Sequence, residues 1–252
     1  MGKKFRVDQL TIQIYKDKFE MGRAAADLAE KHISDAINKK GEAVIILATG
    51  ASQFELLDSF SEKQIDWKKV IAFHLDEYVG IPETHSASFR RYLKERIIEK
   101  VGIGTFYLIE GDSEDSEKEC KRLGTLFERY NVDVAFVGIG ENGHLAFNEP
   151  PAQFDDKVKY KIIELDEKSR KQQLGEGWFK KLEEVPKFAI TMTIPAIMES
   201  RAIICTVPDA RKARAVKNTL NSKISPEFPA SIIREHPNAT LFLEKNSASL
   251  LD

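Results

Sequence analysis

The stretch from residue 132 to residue 150, VDVAFVGIGENGHLAFNEP, constrains the fold of this chain more than any other. Its first half is an apolar, β-branched run without a polar face, which is typical of a strand buried on both sides of a parallel sheet. The run ends at Gly138 and Gly140, where small residues let the backbone approach a ligand closely. Proton-handling side chains follow within nine residues: Glu141, Asn142, His144, Asn148 and Glu149. Because open α/β sheets bind ligands at the carboxyl ends of their strands, this stretch predicts an active site.

A dinucleotide-binding turn is the competing interpretation of the same glycines. Gly138, Gly140 and Gly143 satisfy the GxGxxG pattern after a strand. That pattern functions only where the turn opens a long helix whose N-terminus meets a pyrophosphate. Pro150 and Pro151 follow too soon for such a helix, since proline disfavours a helical residue before it. Nicotinamide or flavin binding is therefore the disfavoured alternative.

The composition excludes several classes of protein. With 252 residues the chain can bury a substantial core, and its formal net charge of −2 lacks the footprint of a general nucleic-acid binder. Cys120 and Cys205 are not in a CxxC pair, which indicates reduced thiols. The N-terminus has no apolar signal-peptide core, and no run is long enough to span a membrane. We predict a cytoplasmic protein that binds neither nucleic acid nor membrane, while homo-oligomer formation stays open.

Strand-like and helix-like runs alternate along the chain, which predicts an α/β fold with a mostly parallel sheet and helices on both faces. The predicted strands are Ala43–Ala48, Val70–His74, Thr105–Leu108, Val132–Gly138, Ala202–Val207 and Thr240–Leu243. The predicted helices are Lys18–Asn38, Gln53–Phe60, Ser88–Lys100, Glu114–Tyr130 and Asp209–Leu220. We expect a single Rossmann-like domain over residues 1–252. Within it the polar, lysine-rich segment 151–184 is predicted to form a mobile lid.

A second strand leads into the sequence Thr49-Gly50-Ala51-Ser52 and then a helix. Ser52 is a good candidate for the helix N-cap, and the free N–H groups there would point towards a bound anion. This predicts a phosphate site. An ordinary strand–turn–helix connection is the equally simple alternative.

A third strand ends in Asp76 and Glu77. Because side chains alternate along a strand, one of the two should point towards the site and the other away from it. A partly desolvated carboxylate at a strand end is a suitable general base, although a salt bridge at the rim would give the same pattern. His74 lies inside the apolar run and is predicted to pack in the core.

A fourth strand precedes VPDARKARAVK, in which Asp209 is a candidate helix cap and Lys212 falls in the first turn. A positive charge near a helix N-terminus interacts unfavourably with the helix dipole unless a bound anion compensates it. This favours a Lys212 side chain that faces a ligand. The alternative is one solvated face formed by the basic residues Arg211, Lys212, Arg214 and Lys217.

Among the histidines, His144 alone has acidic and amide neighbours suited to tuning it near neutral pH. His236 stays open between a structural and a site-lining role. No HxH, HExxH or Cys/His cluster occurs, so we predict no metal site. The GxSxG and Walker A patterns are also absent.

These motifs, in this order, resemble the glucosamine-6-phosphate deaminase (isomerase) family, whose superfamily includes 6-phosphogluconolactonase. The resemblance runs from about Val44 to Leu243, and FHLDEYVG and VGIGENGHLAFNEP are its specific parts. Lactonases usually have Asp-Glu-Arg where this chain has Asp76-Glu77-Tyr78, and they lack the ending Phe147-Asn148-Glu149-Pro150. Both differences favour the deaminase branch.

The resemblance implies a reaction and a role for each matching residue. His144, oriented by Glu149 and Asn142, would open the pyranose ring of glucosamine 6-phosphate, and Asp76 would move a proton between C2 and C1. Water would replace the amine to give fructose 6-phosphate and ammonia, without a cofactor. The residues implied to hold the sugar phosphate are Thr49, Gly50, Ser52 and Lys212. Gly138 and Gly140 are predicted to bind the substrate through their closely approaching backbone.

Three positions depart from the family pattern. Ala51 stands where many members have a second glycine, and Asn142 stands where many have aspartate. The phosphate-binding arginine of the family's lid has no aligned counterpart, Arg170 and Lys171 being the nearest cations. A sugar-phosphate lactonase and a non-catalytic sugar-phosphate sensor are the alternative functions.

Overall fold

A computed structural model describes residues 3–175 and 177–251, except the side chains of Lys168 and Gln172. Glu176, inside the predicted lid, and both chain ends of the predicted domain lie outside the described residues. The strands of the main sheet are β1 (Lys3–Val7), β2 (Leu10–Tyr15), β3 (Ala43–Leu47), β4 (Val70–His74), β6 (Thr105–Tyr107), β7 (Val134–Val137), β10 (Ala202–Val207) and β11 (Ala239–Glu244).

The main sheet has the strand order β1-β2-β11-β10-β7-β3-β4-β6. All neighbours are parallel except the pair β1 and β2, which is antiparallel. All six predicted strands are present, and the predicted α/β class is confirmed. The prediction missed β1 and β2 at the sheet edge, where β1 is mostly exposed and its charged residues hide the strand pattern.

Helices cover both faces of this sheet. The helices of the described residues are α1 (Lys18–Lys40), α2 (Phe54–Ser61), α3 (Phe89–Leu93), α4 (Glu99–Val101), α5 (Ser116–Phe127), α6 (Glu167–Gly175), α7 (Ile194–Met198) and α8 (Ala213–Asn221), of which α6 packs beside the second sheet described below. A π-helical turn, Lys94–Ile98, joins α3 to α4. One apolar cluster packs α1 and α2 on one face, and another packs α5, α7 and α8 on the other. The strands between them are therefore buried on both sides, as in β3, where every residue is buried.

A second, antiparallel sheet lies beside the first in the order β5-β9-β8, formed by β5 (Asp76–Tyr78), β9 (Phe188–Met192) and β8 (Tyr160–Glu164). The sequence analysis predicted none of these strands. The lid prediction is wrong for β8, which pairs along its whole length with β9. Tyr160 is buried there, and its hydroxyl donates to the carbonyl of His74 at 3.0 Å. That the rest of the segment moves as a lid stays a prediction.

The register of the parallel strands brings the predicted motifs to one edge. Leu47 lies beside His74 across β3 and β4, and Val137 lies beside Cys205 across β7 and β10. The loops that follow β3, β4, β7 and β10 therefore leave the sheet together. Within the described residues no helix has both the length and the apolar character needed to cross a bilayer.

Candidate active site

The loops after β3, β4, β7 and β10 enclose a cleft at the carboxyl edge of the sheet. Eight of the ten predicted site residues line it: Thr49, Gly50, Ser52, Asp76, Gly138, Gly140, His144 and Lys212. The other two, Asn142 and Glu149, lie behind His144 and contact its backbone and ring respectively. The predicted convergence of four separate motifs on one cleft is what the structure shows.

Asp76 reaches the cleft from β5, where it pairs with Thr191 of β9. Its side chain is buried, and the hydroxyl of Thr49 donates to its Oδ1 at 3.5 Å. Burial, and after it the neighbouring Glu77, raise the pKa of Asp76 to about 8, against the opposing effect of the hydrogen bond from Thr49. A carboxylate with such a pKa can both accept and return a proton near neutral pH.

Glu77 points away from the cleft, as side-chain alternation predicts. It accepts hydrogen bonds from the Ser88 hydroxyl at 2.9 Å and from the N–H groups of Phe89 and Arg90 at 3.1 and 2.9 Å. Burial raises the pKa of Glu77, and these donors oppose the rise. Glu77 therefore anchors β5 to the start of α3 and so fixes the backbone on which Asp76 sits.

His144, Glu149 and Asn142 form a connected chain. His144 Nδ1 lies 2.7 Å from Glu149 Oε1, and neither atom has a hydrogen-bond partner elsewhere among the described side chains. Asn142 donates its amide to the second oxygen of Glu149, while its own oxygen accepts from the His144 N–H at 3.2 Å. Burial disfavours the ionised form of Glu149, but the bonds from His144 and Asn142 prevail and lower its pKa. The carboxylate therefore orients the imidazole, whose Nε2 faces Gly140.

The glycines of this stretch are explained by close packing around the site. A Cβ at Gly140 would lie 2.2 Å from His144 Nε2, and one at Gly138 would lie 2.7 Å from Ser52 Oγ. No helix occurs between the end of β7 and the start of β8, a range that the structure describes throughout. The GxGxxG pattern here accommodates two side chains, and the dinucleotide interpretation has no helix to support it.

The turn after β3 carries Thr49, Gly50 and Ser52. Gly50 has φ 91° and ψ 173°, a conformation that a side chain would strain, and a single 3₁₀ turn, Ala51–Gln53, leads into α2. The prediction that Ser52 caps the helix is wrong. Gly50 occupies the cap position, no side chain caps either helical segment, and Ser52 Oγ accepts from Gln53 Nε2 at 3.1 Å.

Gln53 is a residue that the sequence analysis missed. It is fully buried, and its Nε2 also donates to Thr206 Oγ1 of β10 at 3.1 Å. The amide thus holds Ser52 against the neighbouring strand. Its position on the buried face of the helical run QFELLDSF could have indicated that this polar side chain has a hydrogen-bonding role.

The turn after β10 brings Lys212 into the cleft. Lys212 is only 8% exposed, so it does not belong to a solvated basic face. Arg211 beside it also lines the cleft, which the sequence analysis assigned only to that solvated face. The prediction that Asp209 caps α8 is wrong, because its side chain makes no capping hydrogen bond and its φ is 76°.

The two cations nearest to the family's lid arginine lie outside the cleft. Arg170 donates to the carbonyls of Leu182 at 2.6 Å and Val185 at 3.1 Å, and Lys171 pairs with Glu167 within α6. Helix α6 instead contributes Gln173, whose Oε1 accepts from the Tyr78 hydroxyl at 2.6 Å. No sequence pattern could have identified Gln173 as a cleft residue, because its place in the cleft depends on how α6 packs.

The remaining histidines of the sequence analysis are structural. His74 is buried and accepts from the Ile109 N–H at 2.6 Å, and burial lowers its pKa to about 3. His236 Nε2 lies 2.7 Å from the Ser200 carbonyl, away from the cleft. Over the part of the chain that is described, no three His, Cys, Asp or Glu side chains are grouped as a metal site.

Known proteins resemble this chain over nearly its whole length. The family described as glucosamine-6-phosphate isomerases/6-phosphogluconolactonase matches residues 16–242. A glucosamine-6-phosphate deaminase from an Exiguobacterium species is 35% identical over 89% of this chain and 87% of its own length. One from Lactobacillus delbrueckii subsp. bulgaricus is 32% identical over 96% of this chain and 100% of its own.

Solved structures agree with this relationship. A monomeric glucosamine-6-phosphate deaminase superposes with a TM-score of 0.86 at 29% identity, covering 95% of this chain and 99% of its own. A 6-phosphogluconolactonase from Shewanella baltica shares the fold at 17% identity, with a TM-score of 0.77 over 97% of this chain and 100% of its own. With its sequence, its fold and the four converging motifs in agreement, the chain belongs to the family of glucosamine-6-phosphate isomerases and 6-phosphogluconolactonases.

Proposed function

We propose that this protein is a deaminating isomerase that converts glucosamine 6-phosphate and water to fructose 6-phosphate and ammonia. The observation that carries the proposal is the meeting of Asp76 and His144 in one cleft, with the turn of Thr49 and Ser52 alongside. A carboxylate base and a histidine with a carboxylate partner suit proton transfer next to a carbonyl group. The names of the bacterial relatives support the same reaction.

His144 performs the first step, in which the pyranose ring opens. Its Nδ1 is engaged by Glu149, so Nε2 is the nitrogen that exchanges protons with the sugar. The imidazole takes the proton of the C1 hydroxyl and delivers one to the ring oxygen, which leaves an open-chain aldehyde. Glu149 stabilises the transient imidazolium, and Asn142 holds the carboxylate in place.

Asp76 performs the second step. It removes the proton from C2 while the oxygen at C1 takes a proton from the substrate's ammonium group, so that an enolamine forms between C1 and C2. Asp76 then returns its proton to C1. The product is a ketimine at C2, to which water adds before ammonia leaves, giving the ketose. These steps need neither an oxidant nor a metal. That no cofactor takes part stays a prediction.

The phosphate lies at the other end of the substrate, against the hydroxyls of Thr49 and Ser52, the backbone at Gly50 and the ammonium group of Lys212. Gly138 and Gly140 leave room for the Ser52 hydroxyl and the His144 imidazole that act on the substrate. Binding energy from the non-reacting phosphate positions C2 at Asp76, which raises the rate of the proton transfer.

An ammonia-release assay tests the proposal directly. We expect glucosamine 6-phosphate to yield ammonia and fructose 6-phosphate in equal amounts, and galactosamine 6-phosphate to be the comparison that defines the sugar preference. Hydrolysis of 6-phosphogluconolactone without ammonia release would instead establish the lactonase function. Saturable sugar-phosphate binding without turnover of any of these compounds would establish the sensor.

The pKa of Asp76 predicts the pH dependence. We expect kcat/KM to rise with pH through about 8, because kcat/KM reports the free enzyme and only ionised Asp76 accepts the C2 proton. Thr49→Val removes a donor that favours the ionised form and moves this rise to higher pH, whereas Glu77→Gln removes a negative neighbour and moves it to lower pH. Groups of the substrate titrate identically with all three proteins. If the wild type and both variants show the rise at the same pH, the titrating group is not Asp76.

We also propose that the enzyme is a cytoplasmic hydrolase in the broad sense that water displaces the amine. Cys120 and Cys205 are both free thiols, which is compatible with a reducing compartment. The solved relative is described as monomeric, and sedimentation would decide between a monomer and a homo-oligomer for this chain.

A further inference from the structure

The turn between β10 and α8 holds a costly backbone conformation. Asp209 has φ 76° and ψ 140°, a region that residues with side chains rarely adopt. Its N–H donates to Glu244 Oε1 at 3.0 Å, and the buried Glu244 also accepts from the N–H groups of Asn246 and Ser247. The fold therefore fixes this turn from β11, and the turn presents Arg211 and Lys212 to the cleft.

The same turn is tied to the candidate phosphate site. Thr206, near the end of β10, donates its hydroxyl to the Ser52 carbonyl at 3.3 Å and accepts from Gln53 Nε2 at 3.1 Å. The segment that carries Arg211 is thus held beside the turn of Thr49, Gly50 and Ser52. An anion bound at that turn lies within the same cleft as the Arg211 side chain.

The guanidinium of Arg211 is only loosely restrained. It is 53% exposed, and its closest carboxylate oxygens are Glu141 Oε1 at 3.5 Å and Asp209 Oδ2 at 3.8 Å. Both distances exceed those of charge-assisted hydrogen bonds, which are about 2.7–2.9 Å. Solvent screens such pairs, so they hold the side chain weakly and can be exchanged for a stronger anionic partner.

We propose that Arg211 is a phosphate-binding residue of this cleft, which leaves Glu141 and Asp209 and forms a bidentate contact with the phosphate of the substrate. A planar guanidinium suits two oxygens of a phosphate group, and a dianionic phosphate attracts it more strongly than an exposed carboxylate. The inference rests on the proposed function for the identity of the sugar phosphate. It supplies the arginine that the lid segment does not, since Arg170 is bound to backbone carbonyls.

The test compares Arg211→Gln with a matched control, Arg214→Gln, which changes an exposed arginine three residues further along that does not line the cleft. We expect Arg211→Gln to raise KM for glucosamine 6-phosphate about tenfold and to weaken binding of inorganic phosphate by a similar factor. We expect kcat to change by less than about twofold, because Arg211 contacts a non-reacting group. Arg211→Lys should give an intermediate KM, and Arg214→Gln should match the wild type.

Glu141→Gln tests the exchange itself. Removing a carboxylate that competes for the guanidinium should tighten binding of inorganic phosphate by about two- to threefold. Phosphate affinity that falls as far as in Arg211→Gln would overturn the exchange, and an Arg211→Gln protein that matches Arg214→Gln would overturn the role of Arg211. Titration of phosphate by calorimetry needs no turnover. The two proposals can therefore fail separately. If the wild type releases no ammonia but Arg211→Gln still weakens phosphate binding, the proposed reaction is refuted and the role of Arg211 is retained.

Discussion

Replacing Asp76 with asparagine is expected to abolish exchange of the substrate C2 proton with solvent and to lower kcat for ammonia release by about 10²–10⁴-fold. An amide cannot accept the C2 proton, while it keeps the size and much of the polarity of the carboxyl group. The affinity for glucosamine 6-phosphate should stay within a few-fold, because the proposed phosphate contacts are made by Ser52 and Lys212, which line the same cleft. Exchange is measured by incorporation of deuterium from D₂O, followed by NMR of the recovered sugar.

The same variant should be more stable than the wild type at neutral pH. The folded-state pKa of Asp76, about 8, lies above the ordinary value of 3.8, so the folded protein retains a proton that the unfolded chain loses. Stability from this group is fully present below about pH 4 and declines as the pH rises to about 8. Asparagine does not titrate, so the gain in Tm of Asp76→Asn over wild type should grow across that interval.

This stability measurement separates lost chemistry from lost folding. Asp66→Asn is a suitable control, because Asp66 is half-exposed, pairs with Lys69 on the surface and does not line the cleft. It should change neither the exchange rate nor the pH dependence of Tm. Proton exchange in Asp76→Asn at close to the wild-type rate would remove Asp76 from the reaction.

The part of the site that could be predicted from the sequence is the part fixed by parallel strands. Apolar runs that end in Thr49, Asp76 and Gly138 identify buried strands, and the parallel register of such strands brings their carboxyl ends to one edge. The spacing of Asn142, His144 and Glu149 is equally local. One tight turn suffices to bring the three side chains together.

What could not be predicted depends on contacts between distant segments. β5 has three residues and is a strand only because β9, more than 100 residues later, pairs with it. From the sequence, Gln53 and Gln173 look like ordinary helix residues. Their roles depend on hydrogen bonds from distant segments, since Gln53 bonds to β10 and Gln173 to Tyr78. Arg211 reads as one of several surface cations, because its direction is set by the strained backbone at Asp209.

If Glu149 acts only by orienting His144, the effects of replacing the two residues on kcat should not be additive. We expect His144→Gln to lower kcat for ammonia release by about 10²–10⁴-fold, since ring opening then lacks its acid and base. Glu149→Gln should also lower kcat substantially, because the imidazole loses the carboxylate 2.7 Å from its Nδ1 that stabilises its charged form. The double variant should be no slower than His144→Gln alone.

This non-additivity distinguishes a positioning role of Glu149 from a direct one. A residue that acts only through His144 has no further effect once the imidazole is gone, whereas independent losses would multiply. His32→Gln, on α1 and away from the cleft, controls for the substitution of a histidine as such. Multiplicative losses in the double variant would mean that Glu149 contacts the substrate itself. The hydrogen bond from Asn142 would then hold a second catalytic carboxylate rather than orient the imidazole.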